Sequence, residues 1–355
     1  MQRLVVLIGF GFVVVGALGC SDRSDPPLAM PDAMVDAVAP GEDAAPGEDA
    51  GPGSDATVMP DAMLDGSVED AMTDASAMDA MPMMEACEGG DTYLYVLNRL
   101  DVARVMGGVS RGFNLDGRVS DGADSMSCNK MDFVSPAGVM GVDNQLQALL
   151  PTLEALSGVS LTSTITASIA AGELLVLVEL SHVDSFESDD CVTMSVLTGR
   201  LPAGTAAPTL DASGRLAAGQ TFDVSRSSYG PGMEPLINVE GVRIVGGRLE
   251  ASGFDLSLPI PAGSAGTITL VSRSSQLEFN ATTTGLMGGS LGGAVRTSEL
   301  GPALGTLMLS VPVATILSVV NLQTDLEKSG RTCEALSAAL ELDGVPAVMG
   351  AITAP

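Results

Sequence analysis

The chain has 355 residues, with 16 Lys and Arg against 44 Asp and Glu, a formal charge of −28. It holds one His, no Trp, three Tyr and eight Phe. That inventory excludes a multi-histidine metal centre and the basic, aromatic surface with which proteins grip nucleic acid.

Met1-Gln2-Arg3 opens the chain, an apolar run extends from Leu4 to Leu18, and Gly19-Cys20 closes it. One positive charge, about fifteen apolar residues and small residues at a junction form a secretory signal peptide over residues 1–19. A transmembrane anchor needs about 20 apolar residues, and the polar Ser21-Asp22-Arg23 ends this run too early. Ala17-Leu18-Gly19-Cys20 resembles the lipobox of bacterial lipoproteins, although Ala17 stands where that family prefers Leu. The resemblance implies cleavage before Cys20 and acylation of it. Ser21 after the cysteine implies sorting to the outer membrane of a Gram-negative envelope, so the membrane is the partner through that lipid. The same three residues also suit ordinary signal peptidase, which would leave Cys20 free.

Residues 21–86 contain 14 Ala, nine Met and 16 acidic residues against one basic residue, Arg23, and no aromatic residue. Ala39-Pro40-Gly41-Glu42-Asp43-Ala44 recurs as Ala45-Pro46-Gly47-Glu48-Asp49-Ala50, and Pro31-Asp32-Ala33-Met34 recurs as Pro60-Asp61-Ala62-Met63. Proline and glycine interrupt helices and a net charge of −15 repels itself, which predicts a disordered acidic linker over 20–86 rather than a calcium array.

From residue 87 the composition changes. Leu174–Leu180 is a nearly continuous apolar run that predicts a strand buried on both faces. Val192, Met194 and Val196 alternate with Thr193 and Ser195, the pattern of a half-buried strand. Val242–Val245, Phe254–Leu258, Thr267–Val271 and Gln276–Phe279 read as further short strands between Gly/Pro/Ser turns. Helices are predicted at three places. Asp143 is positioned to cap Asn144–Leu156, with Pro151 kinking or breaking it. Leu161, Ile165 and Ile169 mark a short helix ending at Gly172. In the uncharged window between Glu299 and Asp325, Leu304, Leu307, Met308 and Val311, then Val313, Ile316, Leu317 and Val320, fall on two helical faces; a membrane span is the alternative. The fold class is therefore mainly β with some α over 87–355, an antiparallel β-sandwich or barrel-like domain with a few packed helices.

Beyond Cys20 the cysteines are Cys87, Cys128, Cys191 and Cys333. An even number in an exported domain predicts two disulfides among three possible pairings. Cys128–Cys191 with Cys87–Cys333 is the preferred pairing, since the second bond would tie the domain's ends.

Gly108-Val109-Ser110-Arg111-Gly112 matches the nucleophile elbow of serine hydrolases, with His182 following. The elbow needs a helix after the serine, and Phe113-Asn114-Leu115-Asp116-Gly117 is turn chemistry instead. Gly288-Gly289-Ser290-Leu291-Gly292 repeats the pattern after the only histidine, showing how readily a Gly/Ser-rich chain produces it. Ser127-Cys128-Asn129-Lys130 matches Ser-x-x-Lys but lacks the Lys-Thr-Gly that such enzymes require. Asn114, Asp116, Asp121, Asp124, Asp132, Asp143 and Asn144 form an oxygen-rich cluster, and calcium takes six to eight oxygen ligands from such residues. Asn114, Asp116, Asp121 and Asp124 are thus the candidate ligands of a structural Ca²⁺, no other cofactor being indicated; the other reading is turns and caps. Asp184, Glu187, Asp189 and Asp190 read as a strand-connecting loop. The sequence leans towards a non-enzymatic binding or structural domain held off the membrane, with a secreted hydrolase using the acidic cluster as the alternative.

Overall fold

A computed structural model describes residues 87–354 apart from 158–159, 262–265 and 307–310. The signal peptide, Cys20 and the linker lie outside the described residues, as do Leu307 and Met308 of the first helical face in the 299–325 window.

The strands follow in chain order as β1 (Asp91–Val102), β2 (Phe133–Val134), β3 (Met140–Val142), β4 (Val176–Val183), β5 (Ser188–Arg200) and β6 (Gln220–Ser225). Then come β7 (Asn238–Val245), β8 (Arg248–Pro261), β9 (Thr267–Thr282), β10 (Gly285–Arg296), β11 (Leu326–Ser329) and β12 (Thr332–Thr353). The helices are α1 (Leu146–Ser157), α2 (Leu161–Ala171), α3 (Thr297–Gly305) and α4 (Val313–Asn321).

Eight strands close into a ring. β1 pairs with β4, β4 with β5, β5 with β7, and onward through β8, β9 and β10 to β12, which returns to β1; every pairing is antiparallel. This is the barrel of the two predicted alternatives. β6 runs parallel to the far end of β12 and touches β5 at Gly199 and Arg200.

An eight-stranded barrel is wide enough to be filled by side chains or to hold one small ligand. Here side chains fill it: Val178, Leu256, Leu277, Phe279, Leu291 and Leu342 are among those around a residual apolar cavity of about 20 Å³. A Cβ on Gly289 of β10 would fall inside the van der Waals envelope of the Phe279 ring and Leu342. The missing side chain on one strand thus admits the aromatic ring of its neighbour.

β4 is buried on both faces, as its apolar run predicts. Val176 and Val178 line the cavity, and β6 adds the fully buried Phe222 and Val224 to the same core. β5 departs from expectation, because Thr193 and Ser195 are buried too. Their hydroxyls bond to His182 Nδ1 and Asn238 Oδ1, which removes the cost of taking them out of water. The segments 267–271 and 276–279 join as one strand, β9, with Ser274 at φ 47° where the chain bends.

α2 has a Ser160 cap and ends at Gly172 in the left-handed conformation, with Ile165 and Ile169 buried. α1 differs from its prediction in two ways. It runs through Pro151 without a break, because Leu149 and Leu150 on the preceding turn are anchored in the core. Asp143 does not cap it; its carboxylate accepts the Leu115 amide instead. α3 and α4 pack Leu304, Ile316 and Val320 with Leu149 and Leu336 in a second apolar cluster. No helix among the described residues is long and apolar enough to cross a membrane.

The cysteines pair as Cys87–Cys191 and Cys128–Cys333, which overturns the pairing preferred from sequence. The topology explains the difference. Asp91 at the start of β1 lies opposite Val183, so Cys87 meets the β4–β5 turn and the first residues of β5. Two disulfides mark a domain exported from the reducing cytoplasm.

Candidate functional site

Between β1 and α1 the chain leaves the barrel for residues 103–145, which fold into a cap over β10, β11 and β12. Short bridges organise it: Met106 with Val109, Val109 with Val134, Asp121 with Met131, and the β2–β3 pair. The cap can lie close to the wall because Gly292 of β10 has no side chain; a Cβ there would stand 2.8 Å from the Phe113 ring. Cys128–Cys333, the Arg111 guanidinium on the Gly288 carbonyl, Lys130 on the Leu322 carbonyl and Lys328 on the Ser125 carbonyl fasten it down.

The four candidate calcium ligands all lie in this cap, and most of their oxygens serve its turns. Asn114 donates to the Arg118 carbonyl. Asp116 accepts the Arg118 amide and the Ser127 hydroxyl, Asp121 the Ala123 amide, and Asp124 the Met126 amide and the Arg118 guanidinium. Among the described residues, no group of three or more His, Cys, Asp and Glu is arranged to hold a metal ion.

What the fold does bring together is a different carboxyl set: Asp132 and Asp143 of the cap and Asp325, which leads into β11. Asp143 and Asp325 are 1% and 2% exposed. Asp143 accepts the Leu115 amide at 2.7 Å, and Asp325 accepts the Ser337 amide at 2.8 Å and its hydroxyl at 2.6 Å. Ser337 in turn accepts the Gln145 amide at 2.8 Å, so the barrel wall and the cap are joined through this serine. Asp132, half-buried, accepts the Ser120 amide.

Burial pushes Asp143 up to about 8, and the negative charges of Asp325, Asp116 and Asp132 add to it against the opposing Leu115 amide bond. Burial also raises Asp325 to about 7, against the Ser337 bonds and with help from Asp132. Asp132 moves up for the same first reason. Asp132 and Asp143 belong to the oxygen-rich cluster seen in the sequence. Asp325 was missed because it stands 182 residues beyond Asp143, and only strand pairing across the wall joins them.

The sign of the pH dependence follows. The folded state holds protons on Asp143 and Asp325 that the unfolded chain releases near pH 4, so their stabilisation is complete below that value and is lost as pH rises through 7 and 8. One proton is equivalent to about 1.4 kcal/mol per pH unit, and a domain of this size moves about 2–4 °C per kcal/mol. The melting temperature is expected to fall by about 5 °C or more between pH 6 and 8.5, and Asp143→Asn should flatten that profile. A melting temperature that rises over this interval would refute the assignment.

The serine motifs are not assembled into a nucleophile site. Ser110 is buried, donating to the Arg111 carbonyl and accepting from Asn144 Nδ2. Asn144 also bonds the Ala103 carbonyl at one end of β1, whereas His182 abuts Gly90 at the other. Twelve strand residues separate the two ends, roughly 40 Å. Ser290 is buried within β10. Of the second acidic cluster, Asp184 and Glu187 lie in the predicted β4–β5 connection, whereas Asp189 and Asp190 fall within β5, from which Asp189 accepts the Asp184, Ser185 and Cys191 amides. Comparison with protein-family models, with curated proteins and with solved structures finds no match to this chain.

Proposed function

We propose that the protein is an envelope lipoprotein, anchored at Cys20 in the outer membrane, whose barrel domain is a non-enzymatic binding module presenting its cap to a partner. The observation that carries this reading is the distribution of exposed apolar side chains. Met106, Val109, Val119, Met126, Met131, Val139 and Met140 all stand exposed on the cap, Met106 at 78% and Met140 at 59%. Methionine is the side chain best able to adapt to varied apolar surfaces, and clustered exposed apolar residues mark contact sites. Cys87 precedes β1 and the cap follows it, so the cap lies at the opposite end of β1 from the first described residue. The hydrolase alternative would use the acidic cluster of the cap, where Asp116, Asp121 and Asp124 are already engaged with turn amides and Asp143 is buried.

Two measurements test the reading. Metabolic labelling with an alkyne palmitate should mark the wild-type chain and not Cys20→Ser; equal labelling of both, or of neither, refutes the anchor. A photo-crosslinking residue at position 140 should give a discrete adduct in intact cells that the same residue at exposed position 210 does not. Identical patterns from the two positions would remove the cap as the contact face.

A further inference from the structure

The exposed apolar residues of the cap are not scattered. Met106 and Val109 exchange backbone bonds of 2.9 and 3.1 Å across a tight turn of Gly107 and Gly108, whose φ angles are 60° and 81°. Val109 lies beside Val134 in a parallel bridge, fixed by the Ser110 amide on the Val134 carbonyl and the Val134 amide on the Gly108 carbonyl. Val134 is in turn the register partner of Met140. Residues directly opposite one another share a face of a sheet. With neighbouring strands about 4.8 Å apart, Met106, Val109, Val134 and Met140 form one row of roughly 15 Å, with a thioether at each end. Val134 is half-buried and the other three are exposed. No charged residue occurs in 105–110 or 133–142, so the row is uncharged in a strongly acidic chain.

We propose that Met106 and Met140 are sulfoxidation sites at which hydrogen peroxide switches this row from apolar to polar. The sulfur lone pair attacks one peroxide oxygen, the O–O bond breaks and an S–O bond forms. The sulfur is thereby oxidised by two electrons, and the second oxygen leaves as water with both protons. A sulfoxide oxygen is a strong acceptor, and pressing it against an apolar partner costs free energy unless a donor meets it. The two disulfides place the domain outside the reducing cytoplasm, where such an oxidant meets it. Met194 of the barrel is fully buried, so oxidation at the row alters the contact face and leaves the core intact. The inference rests on the cap's being a contact face and adds what controls that contact.

The test treats the purified full chain carrying Cys20→Ser with hydrogen peroxide and maps its peptides. Met106 and Met140 should be fully converted at a dose that leaves Met194 unmodified and the melting temperature unchanged. On a phenyl matrix, that dose should advance the elution of this chain by more than that of its Met106→Leu/Met140→Leu variant; the linker methionines are common to both. Met287→Leu should behave like the parent chain, although Met287 is about as exposed as Met140, 56% against 59%. In intact cells, a photo-crosslinking residue at position 109 should give an adduct that peroxide abolishes in the wild type and spares in the double Leu variant. An adduct that survives peroxide in the wild type, or is lost equally from the variant, overturns the proposal. Met194 reacting alongside Met106 and Met140 overturns it too. No adduct in untreated cells counts against the contact face itself; unequal elution shifts would then still support the oxidation site, and equal shifts would remove it.

Discussion

Replacing Cys128 and Cys333 together by Ser is expected to destabilise the domain by about 5 kcal/mol. The bond closes a loop with a sequence separation of 205 residues, and the entropy it removes from the unfolded chain grows slowly with loop length, reaching about 4.7 kcal/mol for 100 residues. Removing Cys87–Cys191, with a separation of 104, should cost slightly less, because a doubling of the loop adds only about 0.6 kcal/mol. Urea unfolding of the two double variants against the wild type measures both. The larger loss should belong to the pair that also pins the cap, since without it the acids at the wall keep only their hydrogen bonds. A loss under about 1 kcal/mol for either pair would mean that its cysteines are not joined in the folded protein. Peptide mapping of the oxidised chain gives an independent check: Cys87–Cys191 and Cys128–Cys333 fragments should appear, and a Cys128–Cys191 fragment should not.

The second large effect lies inside the barrel. Phe279 is 1% exposed, and its ring occupies the space that a side chain at Gly289 would need. Phe279→Ala is expected to cost about 3–5 kcal/mol, the transfer term plus the cavity left in a closed barrel that has little freedom to collapse. Gly289→Ala should cost about 1–3 kcal/mol for the opposite reason, overpacking. The two changes answer each other, so the double variant Gly289→Ala/Phe279→Ala should be more stable than the sum of the single losses predicts, by about 0.5–3 kcal/mol. Strict additivity in a denaturation cycle would show that the ring and the glycine do not share one space.

Much of this architecture can be read before the chain is folded. The run at Leu174–Leu180, apolar but for Glu179, announces a strand buried on both faces because five apolar residues follow one another before the first polar one. The four-residue spacing of Leu161, Ile165 and Ile169 and the glycine at 172 mark α2 by purely local chemistry, and α2 forms there, with Ser160 capping its start in the structure. The composition of the cap, rich in Asp, Asn, Gly and Ser, likewise predicts turns, and Asp116, Asp121 and Asp124 hold turn amides. Features of this kind depend on neighbours within a few residues.

The features that escaped the sequence all depend on distant partners. The segment Glu334-Ala335-Leu336-Ser337-Ala338-Ala339-Leu340-Glu341-Leu342 is made largely of good helix formers, yet it lies within β12, the strand of 22 residues that closes the ring between β1 and β10. Cross-strand pairing on both sides outweighs a propensity worth only tenths of a kcal/mol per residue. Gly289 and Gly292 resemble a loop motif in sequence and become a place for Phe279 and for Phe113 only when three strands and the cap meet. The disulfide pairing follows the β4–β5 turn rather than the ends of the domain. Asp325 is one acid among many until β11 and β12 turn it towards Asp143.

Local composition thus determined that this is a cystine-bearing, β-rich domain with an acidic, turn-filled excursion, because strand alternation, caps and turns are decided by adjacent residues. The closure of the barrel, the partners of the four cysteines and the meeting of the buried carboxyls were decided by tertiary structure alone, because each is a contact between residues 100 or more positions apart, and the free energy of such a contact exists only when the whole ring is formed.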